Sequence, residues 1–511
     1  MSPSGKRGER RRVQAMKVHQ WLPEWEEVEF DDSQYRSRPP KDFFLFTLPA
    51  SDLLSLSGIF RRDAGKGQAR SRDLGIQRQH DAERSEEIRD YVSHGFPWSA
   101  LSAQRRASGD FDDLKKPGWL PTAIVVNILK SGDTRRGDSV HTNDLIEIGE
   151  QTDSTAELIL PNDVGSADWH PSSLAPIEVI DGQHRLWAFD DRQSAEGFSL
   201  PVVAFYGLDI SWQAYLFYTI NIKPKKINTS LAFDLYPLLR TEDWLERFDG
   251  HPIYRETRAQ EITEALWSFP DSPWHDRIDM LGGRGKRMVT QAAWIRSLLA
   301  TFVKSYENRR VSIGGLFGAP LGEHHPVLGW SRPQQSAFII FIWQKLQDAI
   351  EHSEDEWAVS LREGDEPAAS TGGDAAFTGR FSLLDTDQGV RGVLSIFNDL
   401  CYFQAERLGL DDLESSDIRD GTAEGAISNA LEILKSAPVG AFVQSLAQSV
   451  ASYDWRTSAT PGLSERLRSE KARFRGGTGY RELRIDLLRH VAAAGGDVGD
   501  VATEVASALG F

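Results

Sequence analysis

The chain has 511 residues, with 58 lysines and arginines against 75 aspartates and glutamates, 12 histidines and one cysteine, for a formal net charge of −17. That length predicts two or three domains with ample chain for a core, and 40% hydrophobic residues with 15 Trp and 25 Phe exclude a disordered chain. Cys401 alone excludes an internal disulfide and a cysteine-rich zinc site. The acidic balance argues against coating nucleic acid through net charge. No apolar run approaches the roughly 18 residues of a membrane helix and no secretory leader is evident, so a cytoplasmic protein is expected.

In chain order, Lys6, Arg7, Arg10, Arg11, Arg12 and Lys17 stand against Glu9 alone, so residues 1–40 read as a basic flexible arm and lead-in. Alternation over residues 43–49 predicts a strand, and Ser51-Asp52 a capped helix start. An arginine-rich stretch over 61–84 leads into helical spacing at 86–92. The β-branched run 119–129, bounded by Pro117-Gly118 and Ser131-Gly132, predicts a buried strand. Residues 133–168 read as a polar excursion with one short strand at 156–160. A strand at 177–180, a turn at 181–184, a helix opening at Arg185 and a strand at 200–206 read as a parallel strand-helix-strand unit.

After Ser211 helical patterns dominate, as at 292–303 and 337–350, with an acidic, Ser/Gly-rich loop expected at 351–379. No internal repeat of fixed period is present.

The most informative stretch is Asp181-Gly182-Gln183-His184-Arg185. Glycine between a strand and a helix lets the backbone approach a ligand, and the first helical turn with Arg185 suits a phosphate. His184 offers a donor or a proton-transfer group near neutral pH. Asp181 has three roles open to it: accepting from a ribose hydroxyl, holding a metal, or capping the helix. The plainer alternative is an ordinary turn with a satisfied histidine and an ion-paired arginine.

That string resembles the signature of the DGQHR family, which includes the DndB proteins of DNA phosphorothioation systems and the DpdB proteins of DNA 7-deazaguanine insertion systems. Flanking features look like the same family: Arg84, Ile88 and Tyr91, the 121–129 strand, Phe217-Tyr218-Thr219-Ile220-Asn221, Lys225-Lys226-Ile227-Asn228, 254–266 with Ser272-Pro273-Trp274, Thr290 to Trp294, and 386–394. The resemblance covers most of 41–402. It implies an α+β chain with a ParB/sulfiredoxin-like α/β domain over 41–235 and a mostly helical domain over 236–511.

It further implies a nucleoside triphosphate, ATP or another, with its phosphates on Gly182, His184 and Arg185, and Mg²⁺. Asp181, His184 and Arg185 become candidates for the chemical step, Asp181 also for the metal. Gly182, Gln183, Asn221, Lys225, Lys226 and Asn228 become candidates for holding the nucleotide; lysines there would neutralise developing charge. Gln183 stands where sulfiredoxins carry their cysteine, so that reductase chemistry is not expected. A water-positioning carboxylate would come from Glu83, Glu86, Glu87 or Asp181.

Two glycine-rich turns, 282–287 and 475–481, do not fit a P-loop. Arg284, Lys286, Arg287, Arg475 and Arg481 suit contact with a nucleic-acid backbone, and Tyr480 stacking, though polar helix connections would look the same. The expected function is a nucleotide-hydrolysing component that assists DNA modification beside a transglycosylase-like partner enzyme. The competing expectations are a DndB-like DNA-binding regulator and a scaffold whose nucleotide site is idle.

Overall fold

The computed structural model describes residues 10–31, 37–58, 82–166, 169–190, 197–221, 228–234, 252–282, 289–304, 313–322, 325–364, 373–413 and 420–511. The fold is α+β, and the chain divides into two compact units, Met1–Lys225 and Lys226–Phe511. The expected boundary at 235/236 lies outside the described residues.

The first unit is built on an eight-stranded sheet. Its strands are β1 (Arg12–His19), β2 (Asp42–Pro49), β3 (Ser57–Gly58), β4 (Ile124–Ile128), β7 (Glu147–Gln151), β8 (Thr155–Ile159), β9 (Ile177–Asp181) and β10 (Ser199–Tyr206), with β5 (Thr134–Arg135) and β6 (Asp138–Ser139) forming a separate small hairpin. The order across the sheet is β3-β9-β4-β10-β2-β1-β8-β7. Helices α1 (Ala50–Leu56), α2 (Ala82–His94), α3 (Ala103–Ser108), α4 (Gln183–Trp187) and α5 (Ile210–Asn221) accompany it. In β2, Phe44, Phe46 and Leu48 are buried at every second position, the period of a strand with one face on the core.

Three expectations are corrected here. The arm is not free from Arg12 onward: β1 lies between β2 and β8, with Ala15 buried, and its arginines are spent on neighbours. Arg10 pairs with Glu147, Arg11 with Asp52 and Arg12 with Glu157. Pairing partners 23–29 and 139–147 residues away supply the hydrogen bonds, which composition at the terminus does not reveal. The excursion at 133–168 holds four strands, of which β7 and β8 complete one edge of the main sheet.

The parallel strand-helix-strand unit is also overturned. β9 is antiparallel to β4 and β4 is parallel to β10, so β9 and β10 flank β4 and run in opposite directions. A five-residue helix rises only about 7.5 Å, less than half the roughly 16 Å of β9, and does not carry the chain back along the strand. It is α5, after β10, that runs back in the direction of β9.

The second unit is helical, with α6 (Thr229–Asp234), α7 (Pro252–Ser268), α8 (Gln291–Leu299), α9 (Arg332–Glu351), α10 (Glu356–Arg362), α11 (Ala375–Thr378), α12 (Asp387–Phe403), α13 (Glu424–Ser436), α14 (Pro438–Ala451), α15 (Glu465–Ala472), α16 (Gly479–Ala493) and α17 (Gly496–Ala508). Ser331 and Gln334 close a capping box at the start of α9. Trp274, Trp294 and Trp343 are fully buried and meet edge to face, with centroids 4.9 to 5.6 Å apart. The expected acidic loop contains α10 and α11, because Trp357 and Leu361 recur at helical spacing and bury together with Phe377; residues 365–372 lie outside the described set. Among the described residues no helix is long and apolar enough to cross a membrane.

Candidate functional site

The turn that the sequence singles out lies where β9 ends. Asp181 is its last residue, Gly182 adopts φ +91°, and Gln183 starts α4. The positive φ favours glycine; a β-carbon there would stand 2.8 Å from Ile124 Cδ1 and 2.9 Å from Arg185 Nη2, so the tips of those two side chains would have to move aside. With no Cβ in the way, the Arg185 guanidinium folds back over the turn.

Arg185 Nη2 donates to Asp181 Oδ2 at 2.9 Å, and Nη1 donates to the Thr122 carbonyl at 2.8 Å and to Thr122 Oγ1. Asp181 Oδ1 accepts from Asn221 Nδ2 at 3.1 Å. Thr122, Arg185, Asp181 and Asn221 therefore form one hydrogen-bonded relay joining the lead-in to β4, the β9–α4 turn and the last residue of α5. The Asp181 and Arg185 side chains are each 20% exposed, so the pair is open to a ligand yet held on both sides.

Gln183 is 7% exposed; its Nε2 lies 3.3 Å from His184 Nε2, and its Oε1 has no hydrogen-bond partner among the described residues. A buried amide oxygen left without a donor costs about 1–3 kcal/mol. Arg89 of α2 donates to the Ala188 carbonyl at 2.9 Å and pairs with Asp190, fixing the far end of α4.

The placement of Asn221 follows from a second, buried polar set. Glu178 on β9 accepts from Arg135 at 2.6 Å through both oxygens, from Gln213 Nε2 at 3.0 Å and from Asn127 Nδ2 at 3.3 Å. Gln213 and Asn221 lie eight residues apart on α5, about 12 Å of rise, and Glu178 and Asp181 three residues apart on β9, about 10 Å. The helix thus runs in the direction of the strand, pinned near one end by Gln213 and at the other by Asn221. Sequence reasoning missed Thr122, Asn127, Arg135, Glu178 and Gln213. The signal was there for two of them, since Asn127 and Glu178 interrupt otherwise apolar strands.

The other expected site residues separate. Asn228 lies in the second unit, where its Oδ1 accepts from Ser230 N at 2.9 Å and its Nδ2 donates to the Gly282 carbonyl at 2.6 Å, an N-terminal tether for α6. Lys225, Lys226, Arg284, Lys286 and Arg287 lie outside the described residues. Glu83, Glu86 and Glu87 are exposed on α2. Arg475 and Arg481 are exposed, but Tyr480 already carries the Arg391 guanidinium 3.9 Å from its ring centroid, so one face is not open to a base. Cys401 is fully buried on α12 and burial pushes its thiol up to about 12, which keeps it protonated and unreactive.

Among the described residues no three metal-ligating side chains gather. Each Asp181 oxygen accepts one hydrogen bond and keeps a lone pair, so Asp181 could serve a metal as one ligand among others. No protein-family model, no curated protein and no solved structure matches the chain.

Proposed function

We propose that the chain is a nucleotide-binding, ATP-hydrolysing component of a DNA modification system, as its resemblance to the DGQHR family implies, and that the nucleotide sits at the Asp181–Arg185 pair on a ParB/sulfiredoxin-like domain. The observation that carries the reading is the relay itself: a guanidinium held by Thr122 and Asp181 over a glycine at positive φ. A phosphate oxygen competes with Asp181 for Arg185 through charge-assisted bonds. The five-residue α4 brings little dipole, so Arg185 supplies the attraction.

In this reading Gly182 gives close access, His184 and Gln183 add polar contacts, and Asn221 orients Asp181. Magnesium, if bound with the nucleotide, would neutralise phosphate charge, and Asp181 would be the residue that helps to hold it. Hydrolysis would drive a step such as taking a base out of the duplex stack for a transglycosylase-like partner, which costs a few kcal/mol.

The test is calorimetry of the full chain with ATP and Mg²⁺. Arg185→Ala is expected to abolish binding with an unchanged circular dichroism spectrum, and absence of binding by the unaltered chain sinks the reading. A second reading, a DndB-like DNA-binding regulator of a phosphorothioation operon, is favoured by the exposed Arg475 and Arg481 beside Gly476 and Gly477. A gel shift against the operon's own promoter decides it, and a shift indifferent to sequence counts against it.

A further inference from the structure

In the second unit α8 and α12 pack against each other, and both are almost wholly buried. Of the nine residues of α8 only Arg296 is exposed, and from Gly389 to Tyr402 of α12 only Arg391 escapes burial. The two arginines stand close enough to feel each other's charge. Burial pushes the Arg391 guanidinium down from its ordinary value; Tyr480 and Asp387 oppose that, and the positive charge of Arg296 adds to it.

Like charges set together on packed helices cost stability unless an anion lies against them. Asp387, one turn before Arg391, feels both arginines but pairs with neither. Neither guanidinium forms an ion pair or a hydrogen bond among the described residues. What holds Arg391 is the Tyr480 ring, with its centroid 3.9 Å from the guanidinium carbon, and a cation carried on a ring keeps its N–H donors unspent. Arg391 Nε is buried, so a ligand reaches this residue through its Nη groups.

Tyr480 lies at the start of α16 beside the exposed Arg481, and the turn before it carries the exposed Arg475 and open main chain at Gly476 and Gly477. The unpaired cations therefore continue from the α8–α12 pair onto that turn. A small ligand with a single phosphate cannot engage all of them; an extended polyanion can.

We propose that Arg296 and Arg391 bind the phosphodiester backbone of DNA, with Tyr480 as the positioning residue that holds Arg391 for it, so that the second unit carries a nucleic-acid site of its own. The proposal stands on the second unit alone and does not depend on the nucleotide reading of the Asp181–Arg185 pair.

The full chain is titrated with a mixed-sequence DNA duplex of about 20 base pairs, followed by fluorescence anisotropy from about 50 to 200 mM salt, where each phosphate contact contributes about 0.9 to the slope of log affinity against log salt. Arg296→Ala and Arg391→Ala are each expected to lower that slope by about one, and the double variant by about two, with unchanged circular dichroism spectra. Tyr480→Ala, which leaves both charges in place, is expected to weaken binding about threefold, the loss of an exposed cation–π contact, and Tyr480→Phe, which keeps the ring, retains the affinity. Arg407→Ala, at an exposed arginine paired with Asp497, changes neither slope nor affinity. The proposal is overturned if the double variant keeps the original slope, if Arg407→Ala lowers it as much, or if the unaltered chain binds no duplex. It is overturned as well if polyglutamate at matched charge displaces the duplex as readily as unlabelled DNA does, since an acidic protein segment would then be the ligand. Should ATP fail to bind while these slopes fall as expected, the nucleotide reading is lost and this site stands.

Discussion

Asp385 lies one residue before the N-cap of α12, and burial outweighs the nearby charge of Arg277, pushing its carboxyl up to about 7. In the unfolded chain the same group titrates near 3.8. Between those values the folded chain holds a proton that the unfolded chain has released, so stability falls as the pH rises from about 4 to 7 and levels off above. Asp385→Asn removes the buried charge. It is expected to raise the unfolding free energy by about 2 kcal/mol at pH 8 and by little at pH 4, as measured by urea denaturation at both values. Equal effects at the two pH values would mean that packing, not charge, sets its contribution. Residue-scale chemistry of this kind is invisible in the string Leu384-Asp385-Thr386, because desolvation is a property of what packs around it. Asp181 and Arg185 were legible for the opposite reason: four residues apart across a strand-glycine-helix turn, they meet locally. Thr122, 63 residues from Arg185, was not.

At the scale of elements, strands with a clean period of two, such as β2, could be read directly, and so could long helices such as α9. Direction could not, because β9 and β10 look the same whether parallel or antiparallel, and only the register with β4 decides. The same holds for α5, whose apolar composition says helix but not which strand it follows. What sets it there is the buried Glu178. Glu178→Ala leaves the Arg135 guanidinium, 14% exposed, without its carboxylate, and stranding a buried charge costs about 3–5 kcal/mol. The expected outcome is a loss of that size in denaturant unfolding together with faster amide exchange along α5. Glu178→Gln, which keeps one acceptor oxygen for Arg135 and Gln213, should recover part of both. An unchanged exchange rate in α5 would show that its apolar packing suffices and that Asn221 is positioned without Glu178.

For the whole molecule the deciding quantity is the distribution of charge. A chain at −17 repels a polyanion, but salt screens that repulsion within about 8 Å at physiological ionic strength, so a local surplus of cations governs contact. From Glu465 to Arg489 eight cations stand against four acids. Four of the eight are committed: Arg466 to Glu470, Lys471 to Asp454, Arg473 to Asp486 and Arg484 to Asp399. Arg468, Arg475, Arg481 and Arg489 are exposed and form no ion pair among the described residues. Between α15 and α16 the main chain at Gly476 and Gly477 is open, since a β-carbon at either would meet nothing within 4 Å. If this turn meets a DNA backbone, each neutralised phosphate releases about 0.9 counterion, and the salt dependence counts the contacts. Replacing Arg475 and Arg481 together by Ala should lower the slope of log affinity against log salt by about two and weaken all sequences alike, because phosphate contacts carry no sequence information. A slope that stays at its original value places the DNA contact elsewhere. A drop confined to one sequence would instead mean that these arginines read bases, which is the behaviour of a regulator and not of a component recruited to DNA by a partner enzyme.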